Sequence, residues 1–81
     1  MNDLQDGMPG QVPMTPDEFQ TIRKRLDLSL HQMGVMIGLK DSPNTRKQVM
    51  QMERGEKKIM PPAARLMRAY ASGYRPEDWP E

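Results

Sequence analysis

Between Thr45 and Glu53 the chain reads T-R-K-Q-V-M-Q-M-E. Arg46, Lys47, Gln48 and Gln51 carry long side chains that end in hydrogen-bond donors. Val49 and Met52, three residues apart, give the segment an apolar side. Wound as a helix, it would be anchored on that side and free to present its donors on the other. Arg and Lys donate to guanine O6 and N7, and the Gln carboxamide pairs bidentately with adenine N6 and N7. Lys40, Thr45, Lys57 and Lys58 flank the base-reading candidates and are candidates for phosphate contacts, which position a domain without reading sequence. The positive end of the helix dipole would favour a phosphate near its start.

Other chemistries lack their parts. Cysteine is absent and His31 is the only histidine, so disulfides and thiolate or imidazole metal sites are excluded. Ser29, Ser42 and Ser72 have no plausible His partner, and there is no Gly-rich phosphate loop. The carboxylates read as helix caps and surface charges. The expectation is a protein that is not an enzyme and needs no metal or cofactor. No apolar run approaches the roughly 20 residues that span a bilayer. A cytoplasmic, nucleoid-associated protein with no membrane contact is expected.

The elements that must position these residues follow from local signals. The stretch up to Met14 is rich in Gly and Pro without an apolar period, so residues 1–14 are expected to form a flexible arm. T-P-D-E then opens a first helix over about Pro16 to Leu26, with Thr15 as cap and Glu18 reaching back. Phe19, Ile22 and Leu26 recur along it at helical spacing. Ser29 caps a second helix with Leu30, Met33 and Ile37 inward, and Gly34 on that face admits a close neighbour. Asp41-Ser42-Pro43-Asn44 signals a turn. Asn44 or Thr45 then caps the third helix, which Gly55 ends. Pro61-Pro62 starts a fourth, with Ala63, Leu66, Met67 and Tyr70 in one stripe and Gly73 beyond it. Nothing alternates as a strand. The fold class is all-α, a bundle of four to five short helices with one domain over 15–73 and a tail over 74–81. The nine methionines are expected to fill the core.

Charge is distributed unevenly. From Met14 to Ser72 there are eleven Lys or Arg against six Asp or Glu, whereas both ends are acidic. A basic centre suits a polyanionic partner.

With these elements in order, the chain resembles a known family. L-S-L-H-Q-M-G-V-M-I-G, then Q-V-M-Q-M-E-R-G, then I-M-P-P-A-A-R-L-M are similar to the Cro/C1-type (XRE-like) helix-turn-helix repressors. The resemblance covers about Thr15 to Ser72. It implies a lambda-repressor-like fold, base contacts from Arg46, Lys47 and Gln51, and phosphate contacts from Lys57 and Lys58. It also implies a largely buried ion pair between Arg23 and Glu53. Two departures stand out. The glutamine that often opens the second helix of the family is Leu30 here, with His31 or Gln32 as candidate substitutes. The extra residues around Lys40 to Asn44 imply either a true loop or an earlier start to the third helix.

The expected function is a repressor that binds double-stranded DNA as a homodimer on an inverted repeat, in a phage, mobile-element or bacterial setting. Anti-CRISPR-associated autorepressors are one such setting. The alternative is the antitoxin of a toxin–antitoxin pair that also binds its own promoter. Tyr70, Tyr74 and Trp79 are candidates for a dimer or toxin-partner contact, and Tyr74 and Trp79 are equally suited to folding back onto the fourth helix.

Overall fold

Thr15 lies just before the first helix in an extended conformation, and its hydroxyl accepts the Glu18 N–H at 3.1 Å. Pro16 follows at a position where its missing N–H costs no hydrogen bond. Helix α1 then runs over Pro16–Arg25, burying Phe19 and Ile22. It ends without a glycine. Asp27 takes the left-handed conformation there, at φ 59°, as short polar side chains tolerate better than most.

The computed structural model describes residues 13–80. The expected arm therefore lies outside the described residues up to position 12, as does Glu81 of the tail. Met14, assigned to the arm from the sequence, is buried in the core. The Pro13 carbonyl accepts from Arg68 Nη2 at 3.3 Å, and Arg68 also meets Glu18 at 3.5 Å. Ordered packing thus begins ahead of the first helix.

Helix α2 spans Leu30–Met36 and opens with a reciprocal cap. Ser29 Oγ accepts the Gln32 N–H at 3.0 Å, while Gln32 Oε1 accepts the Ser29 N–H at 2.9 Å. Two donors at the helix start are satisfied together. Helix α3 spans Thr45–Glu53 and helix α4 spans Pro61–Ala71, opened by Pro61 and Pro62. Among the described residues there is no strand, and the fold they form is all-α. Among them no helix is long and apolar enough to cross a membrane.

The core gathers Phe19, Met33, Val49 and Met67, all fully buried, with Met14, Met36 and Met52 around them. Unbranched methionines fill irregular gaps between short helices well. Gly34 lets α2 and α3 approach closely. A Cβ there would overlap Thr45 Cγ2 and come within 3.1 Å of Val49 Cγ2.

The last residues fold back. Trp79 packs against the core, its ring 5.1 Å from that of Tyr70 and nearly edge-on. Arg75 lies 4.4 Å over the Trp79 ring and donates to the Tyr70 and Tyr74 carbonyls at 2.9 and 2.8 Å. Tyr70 is buried, and its hydroxyl donates to the Met36 carbonyl at the open end of α2. Its assignment as a partner contact is therefore corrected: the phenol caps a helix inside the molecule. Tyr74 stacks on Tyr70 but stays 54% exposed.

Candidate nucleic-acid interface

Helix α3 divides by burial much as its spacing predicts. Thr45, Val49 and Met52 are buried. Positions three and four apart share a face, so Lys47, Met50, Gln51 and Arg54 form one strip on the opposite side, with Arg46 beside Met50. Arg46, Lys47 and Arg54 are exposed, and Gln51 and Met50 are half-buried. Gln48 is also half-buried and lies next to Thr45 and Met52, at the edge of the strip.

Both ends of the helix are tied down. At the C-terminal end, Glu53 accepts from Arg23 Nε at 2.5 Å and from Arg23 Nη2 at 3.3 Å. Gln20 Nε2 adds a third bond to Glu53 at 3.2 Å, and Arg23 Nη1 donates to the Leu28 carbonyl at 3.0 Å. The two side chains are 15% and 7% exposed. A forked guanidinium on a carboxylate gives two directional bonds, and here they join α1 to α3. The ion pair implied by the family resemblance is present in the structure.

At the N-terminal end the expectation for Thr45 is overturned. Thr45 is completely buried, so its side chain cannot reach a phosphate on a ligand outside. Its hydroxyl instead donates to the Lys40 carbonyl and accepts the Ser42 N–H at 3.1 Å. It is the first helical residue and does not cap α3, and Asn44 makes no side-chain cap bond either. The residues between α2 and α3, 37–44, are a true loop, fastened from within by Thr45.

The remaining phosphate candidates are open to solvent. Lys40 projects from that loop, and Lys57 and Lys58 follow α3; all three are exposed. The N–H groups of Glu56 and Lys57 turn back onto the Gln51 carbonyl at 2.8 and 3.2 Å, with Gly55 at φ 80° making the bend. The two lysines thus leave a defined turn close to Gln51. His31 and Asp41 form an exposed pair at 2.9 Å, which links the start of α2 to the loop. Gln32 has its amide oxygen committed to the cap of α2, which fixes the side chain at the helix start and leaves its Nε2 donors for a phosphate.

Sequence reasoning omitted Arg54 and Met50 from the site. Helical spacing from Lys47 would have found both, because 47, 50 and 54 lie on one side. The His31–Asp41 pair had no sequence signal, since it depends on how the loop folds. In chemical terms, the strip offers guanidinium and ammonium donors and one carboxamide that both donates and accepts. A set of donors on a narrow rigid rod, bordered by lysines, matches base edges framed by phosphates.

Searches against protein families, curated proteins and solved structures find no match to this chain.

Proposed function

We propose that the chain is a sequence-specific DNA-binding repressor of the Cro/C1 type, which lays α3 in the major groove and acts as a dimer on an inverted repeat. The observation that carries this is the division of α3. Buried Thr45, Val49 and Met52 hold one side, while Arg46, Lys47, Gln51 and Arg54 stand together on the other. Rigid support matters because base readout requires donors held to within a fraction of an ångström. Arg46 and Lys47 serve as donors to guanine, Gln51 to adenine, and Lys40, Lys57 and Lys58 hold the phosphates. One module reads few base pairs, so a dimer on two half-sites about one helical turn apart supplies the specificity. Repression then follows from occupying a promoter.

Selection of bound duplexes from a randomised pool, with the intact protein at fixed salt, tests this. The expected result is a palindromic motif whose affinity falls steeply as salt rises, because each phosphate contact releases counterions. Failure to enrich any motif, with weak and salt-insensitive binding to all duplexes, would contradict it.

A further inference from the structure

Met50 is out of character with its surroundings. The partly buried apolar residues Leu26, Leu30, Val35, Leu39 and Ile59 pack against the core, and Met50 does not join them. It lies on the outward strip of α3, with Arg46 one turn before it and Arg54 one turn after. Its one polar contact among the described residues is from Arg46, whose Nη1 approaches Sδ at 3.5 Å. The half-buried side chain thus lies beside Arg46 of its own helix, with part of its surface left to face whatever α3 meets.

We infer that Met50 is a specificity-determining residue that reads the 5-methyl group of a thymine. This rests on the DNA-binding function proposed above and names a base feature that the polar residues cannot read. In the major groove, thymine is the one base that presents a methyl group, and apolar side chains contact it. Among the exposed donors of α3, a thioether is the group suited to that contact. Its flexible, polarisable chain adapts to a small apolar target. The Arg46 contact has a second consequence. It keeps the guanidinium alongside the thioether, so a hydrogen-bonding head and an apolar patch face the groove side by side. Buried apolar contact gives selectivity without demanding hydrogen-bond geometry, whereas a charged or amide side chain at position 50 would lose solvent beside the methyl without return.

The test uses the duplex most enriched from the randomised pool and copies in which each thymine is singly replaced by uracil. Uracil removes only the methyl group and leaves base pairing unchanged. For the native protein, one replacement per half-site is expected to weaken binding about fourfold, the value for one buried carbon group. In Met50→Ala, the same replacement is expected to have no effect, while binding remains salt-dependent. A circular dichroism spectrum matching the native protein would establish that this variant is folded. Met50→Leu, which keeps an apolar side chain, is expected to retain most of the uracil effect.

Three results would overturn the inference. They are native binding that no single replacement weakens; a fourfold loss that persists in Met50→Ala, which would assign the methyl to another residue; and an enriched motif that holds no thymine. In each of these the DNA-binding function stands, because a motif has been enriched. Absence of any enriched motif overturns both.

Discussion

At its C-terminal end α3 is held by charge, and at its N-terminal end by shape. Glu53 reaches across to α1, where Arg23 and Gln20 share its carboxylate. Thr45 reaches no other helix with a polar atom. Its methyl group fits the space left by Gly34, and its hydroxyl closes the loop that precedes it. The first device fastens the helix to a distant part of the chain. The second makes the start of the helix and the loop with Lys40 one unit. Since Arg46 and Lys47 stand next to Thr45, the placement of these two residues, proposed above to read bases, depends on the shape-based end.

Breaking the charged end should have the largest effect. Glu53→Ala strands the Arg23 guanidinium in a mostly buried position, at a cost of about 3–5 kcal/mol. Chemical denaturation measures this, and a loss under about 1 kcal/mol would mean that the pair is solvent-screened. The shape-based end is probed next. Gly34→Ala should cost about 1–3 kcal/mol through overpacking against Thr45 and Val49. In a Thr45→Ser background, where the interfering methyl is gone, the added cost should fall well below that. Additive losses in the double variant would show that Gly34 and Thr45 are not in contact.

Thr45→Val keeps the shape and removes the hydroxyl bonds, for an expected loss of about 1–2 kcal/mol. Affinity for duplex DNA should drop further than stability alone explains, because the loop with Lys40 is released. Equal affinity at a temperature where the variant is fully folded would count against the loop's contribution.

The smallest effect is expected from the far end of the same loop. There, Tyr70 caps the Met36 carbonyl. Burial, then the negative charges of Asp78 and Tyr74, raise the Tyr70 phenol above its ordinary value of 10.0. The folded state therefore holds this proton more tightly than the unfolded chain. The associated stability is complete below the unfolded value and is lost as pH rises through the folded one. Tyr70→Phe should cost about 1 kcal/mol at neutral pH and flatten the alkaline loss. An unchanged alkaline transition in unfolding monitored by circular dichroism would place its origin elsewhere.

How far these features could be seen in advance depended on which groups carry the bond. The starts of α1 and α4 were legible because T-P-D-E and Pro61-Pro62 act through local backbone chemistry. The apolar spacing of Val49 and Met52 located the buried side of α3. The Arg23–Glu53 pair was legible through the M-E-R-G resemblance, since two residues thirty positions apart have no local pattern in common. Thr45 was misjudged because its partners are backbone groups of Lys40 and Ser42, and backbone partners leave no mark in side-chain types. For Trp79 the sequence leaves folding back and a partner contact equally open, and the ring folds back onto Tyr70. Whether an aromatic near a chain end turns inward depends on the cavity that awaits it, which is a property of the assembled core. One consequence is practical. Removing the chain after Gly73 would strip Trp79 from the core, so such a truncation would report on stability as well as on any partner.

The proposed function divides the work between the outward strip of α3 and its flank, base reading by Gln51 and phosphate holding by Lys58. The most direct test measures affinity for the selected duplex across a salt series for Gln51→Ala and Lys58→Ala. Gln51→Ala should relax preference at one base position by about 1–3 kcal/mol and leave the salt slope unchanged. Lys58→Ala should weaken all duplexes alike and reduce the slope by about one. Two variants that lose affinity identically, with the same slope and the same base preference, would contradict the account.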